Sequence, residues 1–265
     1  MKNRFLAILI VFLVLVSCSK DSGEDGTNPV TIDKTANLKT TGDSANEILS
    51  NATFNKLQIE IAYVAGFRPT STAMTDFVSF LKLHSFKQDI ELIYKELPSP
   101  NEEKLTLDEI FDLEKENRTI YNDGSTLAIY IYFADAPSED DKEEEELVTL
   151  GAVYLNTSMV IYEETIRTLA SKSNLVSIGD VETATLNHEF GHLLGLVNLG
   201  SISVNDHEDV DAENHCNVEG CLMRAELQFG AGMKKILENR ASKGIIDAPG
   251  LGPECILDLQ ANGGR

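Results

Sequence analysis

The stretch from Leu186 to Met223 constrains this chain more than any other. It opens on His188-Glu189-Phe190-Gly191-His192, an HExxH string, and Gly195 follows. Residues four apart on a helix lie about 40° apart around the axis and about 6 Å along it. The two imidazoles therefore leave one face and can share an ion. Zinc accepts imidazole nitrogen and favours tetrahedral sites, so it is the expected metal. Glu189, one position from His188, is turned too far to share that ligand direction but reaches a water on the ion. Leu186, Phe190, Leu193, Leu194 and Val197 form an apolar stripe that would hold the helix in a core. A bare HExxH string also arises by chance on solvent-exposed helices. Here Gly195, two further histidines (His207 and His215) and Cys221-Leu222-Met223 accompany it, so the metal reading is preferred. Four of the five histidines lie in this stretch. The fifth, His84, stands alone in an apolar run and is read as structural.

The chain has 265 residues and is 42% hydrophobic, enough to bury a sizeable core. Its formal net charge of -21 argues against nucleic acid, which needs clustered Lys and Arg to neutralise phosphates. It argues equally against electrostatic docking on anionic lipid. At the start, Lys2 and Arg4 precede an apolar run, Phe5 to Val16, too short to span a membrane. Ser17-Cys18 follows. This resembles a bacterial lipoprotein signal, with residues 1–17 removed and Cys18 lipidated. The resemblance implies a lipid anchor to a bacterial membrane and a place in the cell envelope, on the outer membrane, either periplasmic or surface-exposed. Residues 18–44 are polar and read as a flexible tether. An exported location permits disulfides; Cys216 and Cys221 are near enough in sequence to pair, leaving Cys255 odd.

Along the chain, 45–51 predicts a short helix and 57–64 an alternating strand. Helical spacing covers 72–86, a strand 90–97, and a helix 106–117 with Thr106 and Glu109 at capping-box spacing. Residues 127–133 are nearly all apolar and predict a central strand buried on both faces. The acids of 137–146 read as a solvated loop rather than a cation site. Strands are expected at 148–155 and 159–162 and a helix at 163–170. Asp180 is the expected cap of the HExxH helix, Val181 to about Leu196. Loop is expected from there to Arg224, helix over 225–240 interrupted near Gly230 and Gly232, and an irregular end. Strands alternating with helices give the α/β (α+β) class with a mixed twisted sheet.

His188 to Gly195 matches the first eight positions of HExxHxxGxxH, and Met223 closes the stretch. In this the chain resembles the metzincin metallopeptidases, in which a methionine turn lies beneath the metal. The run His215-Cys216-x4-Cys221-x-Met223 resembles archaemetzincins in particular. The resemblance implies a domain over 45–265, with an upper part at 45–196 and a small irregular lower part at 197–265. It implies a zinc-dependent endopeptidase in which Glu189 is the general base for a zinc-activated water. It also implies that an edge strand carrying Gly151 and Ala152 holds a polypeptide substrate in extended form. The chain departs from the pattern at the third ligand, where Asn198 stands. His215 is expected to return as that ligand after an inserted loop, with His207 as the main rival and Asp209 behind it. Asn198 and Gly200 would then serve the turn out of the helix. The further cysteine cluster of archaemetzincins is incomplete here, and a disulfide is the simpler expectation. Glu189 favours an enzyme. Asn198 favours the alternative, a catalytically silent surface binding lipoprotein with a structural zinc site.

Overall fold

The computed structural model describes residues 33–142 and 147–265, and 33–265 form one compact unit. The signal, Cys18 and the acids 143–146 lie outside the described residues. No helix among the described residues is long and apolar enough to cross a membrane.

A five-stranded mixed sheet forms the frame. Its strands are β1 (Lys56–Val64), β2 (Asp89–Leu97), β3 (Thr126–Phe133), β4 (Gly151–Leu155) and β5 (Ser158–Ile161), in the order β2-β1-β3-β5-β4. β1 pairs in parallel with β2 and β3, and β3 pairs in parallel with β5. Only β4 runs antiparallel, against β5, and it forms one edge. β3 lies in the centre with every residue from Leu127 to Phe133 buried, as its unbroken apolar run predicts. β2, at the other edge, stays half in water.

Helices cover both faces. α2 (Ser71–His84) starts where the Thr70 hydroxyl accepts from the Ala73 N–H, and it buries Met74, Phe77, Phe80 and Leu81. α3 (Leu107–Asn117) starts from the expected capping box of Thr106 and Glu109. With β1, β3 and β5 it closes a smaller core around Tyr130, Tyr132 and Val160. α4 (Glu163–Ser171) leads to α5 (Ile178–Leu193), the HExxH helix. Every residue of α5 from Val181 to Leu193 is buried, its polar side included. Phe190 meets Phe77 edge to face, with ring centroids 5.2 Å apart, and this locks α5 to α2.

Several boundaries differ from expectation. α5 begins three residues earlier than predicted. Ser177 is its cap, and Asp180 is the third helical residue, returning a bond to the Ser177 N–H. The supposed tether is anchored within residues 33–44: Asn37 is fully buried and bonds the Ala128 carbonyl and the Thr157 hydroxyl. Polar composition hid this, because Asn37 is buried through hydrogen bonds rather than apolar area. The loop after α5 contains a small hairpin, β6 (Glu208–Asp209) with β7 (Ala212–Cys216). The helix at 225–240 is interrupted near Gly230 as expected, into a short 3-10 turn, Ala225–Leu227, and α6 (Gly230–Ser242), which runs two residues further than predicted. The irregular end holds α7 (Pro253–Ala261), which Pro253 begins rather than breaks, since proline fits the first helical turn.

Candidate metal centre

α5 sets the His188 and His192 rings 5.0 Å apart between centroids. β7 brings His215 to both, at 5.4 and 5.1 Å. One ring nitrogen from each of the three lies within 4.8 Å of the others, and all three rings are buried. His188 Nδ1 donates to the Leu222 carbonyl at 2.8 Å, and His215 Nδ1 donates to the Glu213 carbonyl at 2.9 Å. Those bonds fix the tautomers and leave both Nε2 atoms as lone pairs. Neither Nε2 has a hydrogen-bond partner among the described residues, and nor does His192 Nδ1. Buried polar atoms left unpaired are costly, on the order of 1–3 kcal/mol each. A cation held by convergent imidazoles removes that cost, and the donor set fits zinc. Burial pushes His188 down to about 4, with the Leu222 bond opposing. Burial also holds His192 and His215 below the usual histidine range. The rings are therefore neutral at pH 7, as ligands must be.

His215 returns because the exit of α5 is tied to the hairpin. Gly195, Val197 and Asn198 take positive φ angles of 75°, 55° and 63°, turning the chain sharply off the helix. The Asn198 amide donates to Glu208 Oε2, and Glu208 Oε1 accepts from the Asn214 N–H. Asn198 thus works as a turn residue and strut. The rival His207 stands apart from the three rings, with Asp258 and Cys216. Asp209 lies on β6, outside the three-nitrogen group. His84 is buried against Phe80 and joins neither metal-binding group.

Glu189 is buried beside the histidines, and burial pushes its carboxyl up to about 8. Gly151 of the edge strand presses on it: a Cβ at Gly151 would lie 2.6 Å from Glu189 Cγ and 3.1 Å from Thr185 Cγ2. Gly151 and Ala152 pair with Ile161 and Val160 on the inner side of β4. Met223 packs from below. A Cβ at Gly191 would stand 2.2 Å from its Sδ, so glycine between the histidines is what admits the methionine. The Met223 carbonyl accepts from the Cys216 N–H at 2.7 Å, pinning the residue next to His215.

The expected disulfide is absent. Cys216, Cys221 and Cys255 are free, with the Cys221 and Cys255 sulfurs 3.5 Å apart. What the sequence reading missed is the company these thiols keep, namely His207 and Asp258. The available signal was Cys255 three residues before Asp258, a spacing that puts both on one face of a helix.

No protein-family model matches the chain, and no curated protein matches it. Among solved structures, the fold is similar to that of an archaemetzincin from Methanopyrus kandleri. The TM-score is 0.50 at 14% identity, covering 78% of this chain and 96% of that one. A metalloproteinase-II from Bacteroides fragilis gives a TM-score of 0.43 at 14% identity, covering 89% of this chain and 59% of that one. At these identities the likeness is one of fold: a mixed, twisted sheet with helices, as in the archaemetzincin.

Proposed function

We propose that the chain is a zinc-dependent metalloendopeptidase with His188, His192 and His215 as metal ligands and Glu189 as general base. The observation that carries this reading is the convergence of three buried imidazoles with unpaired nitrogens beside a buried carboxyl. A zinc ion bound there would supply Lewis acidity, making water nucleophilic near neutral pH and polarising the scissile carbonyl.

The chain's own residues do the rest. Glu189 takes the proton of the attacking water and passes it to the leaving amine. Burial disfavours its charged form, which strengthens it as a base. A polypeptide substrate adds to the free side of β4, held by backbone hydrogen bonds at Gly151 and Ala152. Gly151, lacking a side chain, lets that strand lie close to Glu189. Met223 supports the ligand helix at Gly191. In this reading Cys18 carries the lipid that anchors the domain to the bacterial envelope.

The test is cleavage of a denatured protein by the zinc-loaded full chain. Cleavage should stop with a chelator and return with added zinc. Full zinc occupancy without cleavage of any denatured substrate would favour the silent binding lipoprotein instead.

A further inference from the structure

The outer side of β4 is open only from Gly151 onward. Just upstream, Thr149 is bridged antiparallel to Phe229. The Leu150 N–H donates to the Gln228 carbonyl at 3.4 Å, and the Gly230 N–H donates to the Val148 carbonyl at 2.9 Å. The other side of Leu150 belongs to the sheet, since its carbonyl accepts from the Tyr162 N–H, just past β5, at 2.9 Å. The segment 228–230 therefore lies in the row into which a substrate strand would add. From Gly151 to Leu155, among the described residues, the sheet has no strand beyond β4.

The segment is built into the fold rather than laid over it. Before it, the 3-10 turn Ala225–Leu227 takes the chain off the row, with Leu227 buried. The Gln228 N–H closes that turn on the Ala225 carbonyl at 3.1 Å. After it, α6 starts at Gly230, and the N–H of the fully buried Met233 donates to the Phe229 carbonyl at 2.9 Å. Gly230 packs so tightly that a Cβ there would stand 2.6 Å from Val148 Cγ2 and 3.4 Å from Leu169 Cδ1. Moving the segment aside would undo two backbone bonds, a helix start and this packing together.

These contacts set the length of the substrate row. Antiparallel pairing is the more stable kind, and it is how β4 meets β5 and how Thr149 meets Phe229. A polypeptide added in that sense passes Leu155 first and Gly151 last. Its residue opposite Gly151 is at Glu189, against which Gly151 packs. The next place, opposite Leu150, is already taken by Gln228. Residues amino-terminal to the scissile bond thus have a strand to pair with. Residues on the leaving side run out of it immediately beyond the base.

We propose that the segment 228–230 is a specificity-determining stop in the substrate row. The site then recognises a polypeptide by the residues amino-terminal to the scissile bond, and the leaving part turns off the sheet. This rests on the peptidase reading and adds to it the side from which the substrate is read.

A ladder of peptides sharing one cleavable bond tests this, with the zinc-loaded full wild-type chain. Lengthening the amino-terminal side should raise kcat/KM by about 2- to 10-fold for each backbone bond gained. Lengthening the leaving side past its first residue should leave kcat/KM unchanged. Equal or larger gains on the leaving side would overturn the proposal and leave the peptidase reading standing. No cleavage of any member at full zinc occupancy would sink the peptidase reading, and this one with it. A second measurement uses the zinc-loaded Glu189→Gln chain, which holds the longest peptide without rapid cleavage. The Leu150 and Gly230 amides should exchange with solvent as slowly with that peptide as without it. Faster exchange on binding would mean that the peptide displaces the segment, and would contradict the stop.

Discussion

Gly151 of the edge strand lies directly against Glu189, so close that a single added carbon would stand 2.6 Å from Glu189 Cγ. The substrate strand and the general base are therefore spaced by the absence of a side chain. Gly151→Ala should push the carboxyl aside while leaving the three imidazoles in place. Displacing a reacting group by about 1 Å costs about 100-fold in rate. The expected outcome is a fall in kcat of that order with zinc content unchanged, read by steady-state kinetics and metal analysis. Unchanged kcat would show that the base does not work from this position.

Phe190 ties the ligand helix to α2 through Phe77. Its ring is fully buried between the two histidines in sequence. Phe190→Ala should cost about 3–5 kcal/mol of unfolding free energy, by lost burial and the cavity left behind. Denaturant unfolding at fixed zinc concentration measures this.

The start of α5 rests on reciprocal bonds between Ser177 and Asp180. Ser177→Ala removes the acceptor for the Asp180 N–H and should destabilise the chain by about 1 kcal/mol. The loss should appear in the denaturation midpoint with an unaltered slope. A larger effect on metal affinity than on stability would mean that the helix start also positions the ligands.

Glu163 on α4 is buried beside Glu182, which the Thr70 N–H holds. Burial first, and then the Glu182 charge, push the Glu163 carboxyl up to about 9, against the opposing bond from Arg167. Folded chains therefore keep a proton that unfolded chains, at the ordinary 4.5, have lost. That contribution is fully present below about 4.5 and disappears as pH rises toward about 9. Glu163→Gln keeps an acceptor for Arg167 without titrating. Thermal midpoints of the wild type should fall across this window more steeply than those of the variant; parallel profiles would contradict the assignment.

Much of the fold was legible because periodicity and burial agree. The run 127–133 is apolar without interruption and became the central strand. Thr106 and Glu109 capped α3 as their spacing predicts. On α5, the four-residue spacing of His188 and His192 sufficed to bring the rings together. Legibility failed where long-range polar bonds decide. Asn37 reads as tether until its partners on β3 and at Thr157 are known. His215 and His207 follow the same loop-like stretch, and local spacing could not separate them. What separates them is the strut from Asn198 through Glu208 to Asn214, together with the Asp258 carboxylate that takes His207. α7 was hidden by Pro253, whose effect depends on whether it stands before a helix or within one.

The most direct measurement compares wild type with Glu189→Gln, the neutral near-isostere, for both zinc content and cleavage of a denatured protein. A base that is not a ligand predicts equal zinc in both chains and cleavage reduced by about 100- to 10,000-fold in the variant. Equal zinc with undiminished cleavage would contradict the proposed chemistry.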